Sequence, residues 1–199
     1  MPTKTARKRD LSRDRILQAA LRIADDEGLE ALSMRRLGAE LGVEAASLYH
    51  HIPGKDALLD GVVVLVRSEI RIPEPPPADW RDLMEAIFTE YGRVLARHPN
   101  LVTLAGRRVE TDPDSGLVFL TQLGLTTDDA VELWQSVIAF TVGYALFAST
   151  AATSDTWDLP DALAARMQQW KPDTATNTLR LIIDAFDARR QSPASFEQD

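Results

Sequence analysis

The stretch LGVEAASLYHHIPGKDALL, residues 41–59, decides the fold of the N-terminal part of the chain. It sets Gly42 between apolar residues, continues through a short Ala/Ser segment, and breaks at a Pro-Gly pair before a lysine. Its adjacent histidines, His50 and His51, suggest a metal or catalytic site at first sight. Neighbouring helical residues point about 100° apart, so they cannot chelate one ion as a pair four residues apart does. The stretch therefore predicts a helix junction or a surface that grips a partner.

Two amphipathic helices are predicted before this stretch. From Ser12 onward, apolar residues recur at helical spacing, and Gly28 is expected to end the helix as a left-handed cap. Ser33 is the predicted N-cap of a second helix, MRRLGAEL. The segment EAASLYHH then holds about two further turns before the Pro-Gly break. Three short helices, the last two joined by a glycine turn, are the layout of a helix-turn-helix.

The residues around the turn have distinct predicted tasks. Gly42 supplies the left-handed conformation that the turn needs, and Gly38 is small where two helices cross closely. Val43 and Leu48 are apolar where the third helix must anchor. The outer face is left to side chains short enough for the backbone to enter a major groove. These side chains belong to Glu44, Ala45, Ser47 and Tyr49.

The rest of the sequence is helical in pattern and is divided by a proline-rich boundary. A helix with a broad apolar stripe is predicted from Lys55 to about Ile70. Prolines crowd residues 73–77, so the chain is expected to run extended until a helix restarts at Asp79. A stiff connector is one interpretation of this segment, and a partner-binding motif is the alternative. Further helices are predicted over 79–98, 100–108, 117–123, 127–152 and 174–188. On the first of these, the helical spacing places Leu83, Ile87, Tyr91 and Val94 on one face.

The helix that starts at Thr127 carries two specific expectations. The Thr127 hydroxyl is predicted to cap the helix, and Asp128 and Asp129 complement the amides of its first turn. Apolar residues on most of its sides predict burial against several neighbours.

Composition places the chain among globular proteins. With 199 residues and 45% hydrophobic content, it can bury one sizeable core or a small domain beside a larger one. The sequence has no run of about 18 apolar residues, so no membrane span is expected. The basic start MPTKTARKRD lacks the apolar segment of a secretory signal. The absence of cysteine excludes disulfides and cysteine-ligated zinc, and fits the expected cytoplasmic location.

Charge is distributed unevenly along the chain. A net charge of -8 by itself argues against a nucleic-acid partner. Residues 1–55, however, hold ten Lys/Arg and eight Asp/Glu, a balance of +2, whereas residues 56–199 hold twelve and twenty-two, a balance of -10. This asymmetry indicates a small polyanion-facing part carried on an acidic body, with a solvated basic tail as the alternative.

The segment LSRDRILQAALRIADDEGLEALSMRRLGAELGVEAASLYHHIPGKDALL resembles the N-terminal domain of the TetR family of transcriptional repressors, through the pattern LGV....LY.H...K..LL. The segments WRDLMEAIFTEYGRVLARHP and LGLTTDDAVELWQSVIAFTVGYAL are similar to the C-terminal, ligand-binding domain of the tetracycline-repressor branch. An all-α fold is therefore expected. It comprises a helix-turn-helix domain with a basic tail over residues 1–54, and a larger helical effector-binding and dimerisation domain over 55–199.

This resemblance implies a repressor that binds a palindromic double-stranded DNA operator as a homodimer and is released by a small-molecule effector. A helix-turn-helix regulator without such an effector, or one controlled by a protein partner, is the alternative. Hydroxyl, phenol and lysine groups suit phosphates, and an arginine fork suits guanine. Tyr49 could instead pack against the first helix, and Arg36 is expected to be a solvated charge. The predicted DNA-binding residues are Arg35, Glu44, Ala45, Ser47, Tyr49, His51 and Lys55.

The resemblance also implies roles for residues of the acidic body, each of which could equally belong to the core. Aromatic walls with a few polar groups are what a small-molecule pocket needs. The residues expected to line it are Phe88, Tyr91, Leu104, Arg107, Phe119, Gln122, Trp134, Ile138 and Phe140. The residues expected at the dimer interface, on the long helix and the last helix, are Val137, Tyr144, Leu179, Ile182, Ile183 and Phe186.

One departure from the tetracycline-repressor pattern bears on the effector. Those repressors hold a magnesium-tetracycline chelate with the help of a pocket histidine, but the only histidine after residue 51 is His98, beside Pro99 at a helix end. We therefore predict no metal, no cofactor and an effector other than tetracycline. Because the sequence contains no Ser/His/Asp arrangement or phosphate loop, it predicts no enzymatic activity.

Overall fold

The structure is a computed structural model that describes residues 11–107, 116–151 and 172–191. Every regular element in these ranges is a helix, which confirms the all-α prediction. The chain divides into two compact units, Met1–Leu65 and Val66–Asp199.

The first unit is built from short helices whose ends follow from local chemistry. The Ser33 hydroxyl accepts the amide of Arg36 at 3.1 Å and caps the second helix as predicted. Gly28 ends the first helix with φ 86° and ψ 163°. Its φ is positive as expected, but its ψ is extended, so the predicted left-handed cap is wrong in detail. The helices are α1 (Arg13–Glu27), α2 (Met34–Leu41), α3 (Ala45–Tyr49) and α4 (Lys55–Arg67).

Helix α4 packs closely against α1. A β-carbon at Gly61 would lie 2.5 Å from the Cδ2 atom of Leu17, so glycine permits the approach. Leu58 and Val62, on the same face of α4, are fully buried. These contacts place most of α4 in the first unit, whereas the predicted boundary at 54/55 assigned the whole helix to the second. The helix also ends at Arg67, slightly before the predicted end near Ile70.

The second unit follows the proline-rich segment. Asp79 caps its first helix by accepting the amide of Arg81 at 2.8 Å, which confirms the predicted restart. The short helix predicted after Pro99 is a 3₁₀ helix, in which the Leu101 amide donates to the His98 carbonyl at 2.9 Å, and it ends at Leu104, before the predicted end at residue 108. The elements are α5 (Trp80–Arg97), the 3₁₀ helix (Pro99–Leu104), α6 (Gly116–Gln122), α7 (Thr127–Ala151) and α8 (Pro172–Gln191).

The cap of α7 lies one residue earlier than predicted. The Thr126 hydroxyl, and not that of Thr127, accepts the amide of Asp129 at 3.1 Å. A capping side chain bonds an amide two or three residues further along the helix, and Thr126 stands at that spacing from Asp129.

The core of the second unit lies where α5, α7 and α8 pack against one another. The sequence predicted a face of α5 built on Leu83, Ile87, Tyr91 and Val94. The structure buries Tyr91 and Val94 as predicted, but it buries Met84 and Phe88 in place of Leu83 and Ile87. The apolar stripe is broad, so the first half of α5 turns a neighbouring pair of residues toward the core while the second half keeps the predicted face. Helix α7 contributes Leu133 to this core.

Helix α7 is less buried than its composition suggested. Leu146 and Phe147 are exposed, so the expected burial on several sides is not met within one chain. By length and composition alone, Thr127–Ser149 is long and apolar enough to cross a membrane, although the sequence predicted no membrane span. Core helices of soluble proteins pass the same test, so this finding alone is weak evidence for a membrane span.

Candidate nucleic-acid interface and ligand pocket

The turn between α2 and α3 has a geometry that depends on glycine. Gly42 follows α2 with φ 69° and ψ 34°, the left-handed conformation that was predicted. A β-carbon at Gly38 would lie 2.9 Å from the carbonyl oxygen of Val43 and 3.2 Å from the amide nitrogen of Ala45. The Val43 amide in turn donates to the Gly38 carbonyl at 2.9 Å. The glycines thereby bring the start of α3 against the backbone of α2.

Helix α3 presents a polar face outward because Leu48 is fully buried on its inner side. Tyr49 is 51% exposed, so about half of it is open to solvent. Ala45 and Ser47 are partly buried and leave room for close approach of another surface. The exposed members of the predicted DNA-binding set are Arg35, Glu44, Tyr49, His51 and Lys55.

The adjacent arginines of α2 have different environments. The Nε atom of Arg36 donates to the Glu27 carboxylate at 3.1 Å, and its Nη1 atom donates to Glu40 at 2.9 Å. The hydrogen bonds with Glu27 raise the pKa of the Arg36 guanidinium and lower that of the Glu27 carboxyl. Arg36 therefore links α2 to the end of α1, while Arg35 is the arginine presented to solvent.

The residues predicted to line a pocket are only partly brought together. The rings of Phe88 and Trp134 meet edge to face with their centroids 5.4 Å apart, a favourable aromatic geometry. Gln122 is exposed, and Leu104, Arg107 and Phe119 are partly buried. The predicted residues that share one apolar cluster, called the aromatic cluster here, are Phe88, Tyr91, Trp134, Ile138 and Phe140.

A polar group that the sequence interpretation missed lies beside Tyr91. The Nη2 atom of Arg67 donates to the carbonyl oxygens of Ala105 and Arg107, each at 3.3 Å. The Tyr91 hydroxyl donates to the same Ala105 oxygen at 3.5 Å. Burial raises the pKa of Tyr91, and the charge of Arg67 opposes the rise. The sequence offered one signal for this group. Arg67 follows Val63 by four residues, so it lies on the apolar stripe of α4, which faces the core.

His98 is buried at the end of α5, where it is bound to a carboxylate. Its Nε2 atom lies 3.3 Å from the Oε2 atom of Glu69, and Arg97 donates to the same oxygen at 3.1 Å. Burial alone would raise the pKa of Glu69, but hydrogen bonds from Arg97 and His98 outweigh it and hold the pKa below its ordinary value. Across the described ranges, no group of three or more His, Cys, Asp or Glu side chains is placed to hold a metal ion.

Most residues predicted at a dimer interface lie in the core of their own chain. Val137, Leu179, Ile183 and Phe186 are buried, and Tyr144 and Ile182 are partly buried. A side chain buried within its own chain offers little surface to a second copy. The exposed apolar side chains on the same two helices are Leu146 (44%), Phe147 (37%) and Leu181 (69%).

A polar groove of about 400 Å³ lies on another side of α5, and no pattern in the sequence indicated it. Its walls come from α5, α8 and the segment that follows α4, with charges of both signs. The Thr89 and Thr176 hydroxyl oxygens lie 3.4 Å apart there. The groove is lined by residues outside the predicted effector set, such as Arg71, Glu85 and Arg93.

Comparison with protein families assigns both parts of the chain. The family model described as bacterial regulatory proteins, tetR family, matches residues 16–62. The model described as tetracyclin repressor-like, C-terminal domain, matches residues 72–183, which is more than half of the chain. The chain belongs to the tetR family. This confirms both the resemblance found in the sequence and the fold it implied, a helix-turn-helix part followed by a larger helical part.

Curated relatives of this tetR-family protein are named as transcriptional regulators, a non-enzymatic role. The HTH-type transcriptional repressor DrrR1 of Streptomyces coeruleorubidus is 37% identical over 149 residues, which are 69% of this chain and 54% of that protein. An HTH-type transcriptional regulator of Saccharopolyspora erythraea is 37% identical over 115 residues, or 57% and 49% of the two chains. The matches thus span about half the length of these two relatives. The class A tetracycline repressor from transposon 1721 of Escherichia coli is 30% identical over 191 residues, 92% of this chain and 84% of that protein.

Solved structures of other tetR-family proteins share the architecture. ActR of Streptomyces coelicolor in complex with (S)-DNPA is 32% identical, with a TM-score of 0.70, covering 89% of this chain and 98% of that one. ActR in complex with actinorhodin is 28% identical, with a TM-score of 0.68 and coverages of 96% and 100%. A TetR variant of Acinetobacter baumannii in complex with minocycline is 22% identical at a TM-score of 0.75 over 95% and 100% of the chains, which supports the fold alone.

Proposed function

We propose that this tetR-family protein is a transcriptional repressor that binds a palindromic operator as a homodimer and releases it when a small molecule binds. The observation that carries the DNA-binding part is the orientation of α3. Leu48 is buried on its inner side, so the opposite face, with the exposed Tyr49, points outward. The relatives named as repressors support the same role. Because its target is chromosomal DNA, we also propose that the protein acts in the cytoplasm.

The residues proposed to contact DNA divide into those that position the protein on the phosphate backbone and those that read base edges. Tyr49, His51 and Lys55 are proposed to contact phosphates, which fix the register of the protein on the duplex. Arg35 and Glu44 are proposed to contact base edges, because an arginine fork matches guanine and a carboxylate accepts from cytosine N4. Ala45 and Ser47 permit close approach, so DNA shape contributes to sequence preference as well.

The charge distribution supports the same orientation toward DNA. The balance is +2 over residues 1–55 and -10 over residues 56–199. An acidic body is repelled by phosphates, whereas the first part is attracted to them. The asymmetry therefore favours approach to DNA through the helix-turn-helix.

A homodimer is proposed because a groove reader of this size works on two half-sites about 34–36 Å apart. The proposed contact surface, called the α7/α8 face, consists of Leu146, Phe147 and Leu181. An isologous interface pairs the same patch on both copies, so one apolar face suffices. Burial by a second copy would also account for the apolar side of α7 that one chain leaves exposed.

The effector is proposed to bind at the aromatic cluster, with Arg67 and Tyr91 as its polar neighbours. Aromatic walls with a few polar groups are typical of small-molecule sites. The ActR structures contain small molecules in a related chain, which supports a ligand-responsive role here. Since His98 already contacts Glu69, we propose that the effector binds without a metal held by a pocket histidine.

Release follows if the effector prefers the conformation that does not bind DNA. A ligand shifts an equilibrium only by its difference in affinity for the two states, and a tenfold loss of operator affinity requires about 1.4 kcal/mol. We propose that ligand binding displaces α4 and changes the separation of the two reading heads.

Selection of genomic fragments on the purified protein tests the first half of this proposal. The bound fragments are expected to share an inverted repeat with half-sites one helical turn, about 34–36 Å, apart. A control selection with Arg35→Met should enrich the repeat less. If the wild-type protein enriches no common sequence, DNA-binding repression is wrong.

A metabolite screen on the fragment-bound protein tests the second half. Trp134 packs against Phe88 in the aromatic cluster, so a compound that binds there should quench its emission. Compounds that quench tryptophan emission should also release the labelled fragment in a mobility-shift titration. A Trp134→Phe control identifies the reporting tryptophan. If saturating compounds bind but leave fragment affinity unchanged, small-molecule release is wrong and control by a protein partner takes its place.

A further inference from the structure

The end of α4 is tied to both ends of the 3₁₀ helix. Arg67, the last residue of α4, donates to the carbonyls of Ala105 and Arg107, which follow the 3₁₀ helix. Glu69, just beyond α4, accepts from Arg97 and contacts His98, which precede the 3₁₀ helix. The two ties are called the clasp, and its members on the α4 side are Arg67 and Glu69.

The clasp joins elements that are otherwise far apart in sequence. The Arg67 contacts span 38 and 40 residues, and those of Glu69 span 28 and 29. The 3₁₀ helix packs against α5 and α7, and its Leu101 and Val102 are buried. Its position is therefore set by the core that holds the aromatic cluster.

The geometry of the clasp favours a defined position over a loose surface contact. Exposed ion pairs contribute about 0–1 kcal/mol because both side chains must be ordered and water screens them. Here, one Glu69 oxygen lies within hydrogen-bonding distance of two groups, and the His98 partner is buried. Arg67 contacts two carbonyls on the other side. A shift of the 3₁₀ helix must therefore break these contacts or carry the end of α4 with it.

We propose that Arg67 and Glu69 are positioning residues that fix α4 to the 3₁₀ helix and thereby set operator affinity. The proposal rests on the proposed function, because its consequence is read through DNA binding. Helix α4 is continuous from Lys55, a proposed phosphate contact, to Arg67. Holding its C-terminal end limits the conformations available to the reading heads and so reduces the cost of binding DNA.

Arg71 provides a matched control for Arg67. It is an arginine of the same segment, four residues further on, but its Nη1 atom donates locally to the Ser68 carbonyl at 3.3 Å. Replacement of either arginine by methionine keeps an unbranched side chain and removes the donors. Arg67→Lys retains a cationic donor and is the conservative rescue variant. Glu69→Gln, which weakens the second tie, is compared with Glu74→Gln at an exposed position.

The experiment measures two properties of the full-length chain. Amide hydrogen exchange over α4 and the 3₁₀ helix reports the clasp without DNA. Fluorescence anisotropy with a labelled duplex of the selected fragment reports operator affinity. Arg67→Met and Glu69→Gln should speed exchange at the end of α4 and weaken binding by about tenfold, within the range found for residues that couple two sites. Arg67→Lys should recover most of the affinity, and both control variants should match the wild type.

Melting temperature separates positioning from a loss of folding. If Arg67→Met unfolds, Glu69→Gln and Arg67→Lys still decide the question. The proposal is overturned if the clasp variants match their controls in exchange and affinity while the wild type binds the duplex. A wild type that binds no duplex overturns the proposed function instead, and exchange then shows whether the clasp holds α4.

Discussion

Gly38 and Val43 are so close that a β-carbon on Gly38 would lie 2.9 Å from the Val43 carbonyl oxygen. That contact is shorter than real β-carbons tolerate, and the atom that would have to move belongs to the backbone. The orientation of α3 on α2 therefore depends on the absence of a side chain at position 38.

Gly38→Ala is expected to lower the free energy of unfolding by about 1–3 kcal/mol, as overpacked substitutions do. It should also weaken operator binding, because the start of α3 must shift. Gly54→Ala is the matched control, since its β-carbon would meet nothing within 4 Å and its φ is not positive. Urea unfolding followed by circular dichroism measures the stability of both variants. Equal stabilities would contradict the steric argument.

Arg35→Met and Arg36→Met are expected to act differently although the residues are adjacent. The first should weaken operator binding by about 1–3 kcal/mol and relax the preference at one guanine, with little change in melting temperature. The second should lower the melting temperature, because Arg36 bonds Glu27 and Glu40, and should leave the base preference intact. Binding to an operator library measures the preference, and a changed preference with Arg36→Met alone would reverse the assignment.

Lys55→Met should reduce the salt dependence of DNA binding. Each phosphate contact contributes a slope of about 0.9 in a plot of log affinity against log salt concentration, and a lost contact removes that amount. Affinity should fall by a similar factor on operator and non-operator duplexes, since phosphates carry no sequence information. Arg22→Met, an exposed arginine outside the proposed interface, serves as the control. An unchanged slope with Lys55→Met would remove Lys55 from the phosphate contacts.

Leu181→Glu should convert the proposed homodimer to monomers without unfolding the chain. Because Leu181 is exposed on α8, the introduced carboxylate is solvated in the monomer. In the dimer it would be buried against an apolar face, which destabilises the dimer. Val118→Glu, at an exposed apolar position on α6, should leave the dimer intact. Sedimentation velocity distinguishes the two states. A dimer that persists in Leu181→Glu would place the interface elsewhere.

Asp79 gives the start of α5 a defined pH dependence. Hydrogen bonds from the Arg81 side chain, and then from its amide, lower the pKa of Asp79 from 3.8 to about 2. A carboxyl with a depressed folded-state pKa stabilises the fold fully above its unfolded pKa and loses that contribution as the pH falls. The difference in melting temperature between wild type and Asp79→Asn, which keeps a capping group, should be constant above about pH 5 and shrink between about pH 4 and 2. A difference that does not vary with pH would refute this assignment.

Local rules predicted much of the architecture. Gly42 takes its left-handed turn because glycine lacks a β-carbon, and Ser33 and Asp79 cap their helices because their oxygens reach nearby amides. Where two candidates stood side by side, the local rule was less selective. Thr126 caps α7 where Thr127 was expected.

Packing decided which face of each helix became the interior. On α5, Tyr91 and Val94 are buried as expected, whereas Met84 and Phe88 are buried where Leu83 and Ile87 were expected. On α8, the residues at helical spacing around Leu179 turned inward, and Leu181 was left exposed. Periodicity identifies an apolar face, but the neighbouring helices determine whether it meets its own chain or solvent.

By itself, the sequence determined the helices, their principal breaks, the glycine turn and the family resemblance, because those features depend on residues a few positions apart. Only the tertiary structure decided that Arg36 pairs with Glu27 while Arg35 is exposed, and that Arg67 reaches Ala105 across 38 residues. Those contacts join different elements, and their partners are chosen by how the helices pack, which no spacing within one helix encodes.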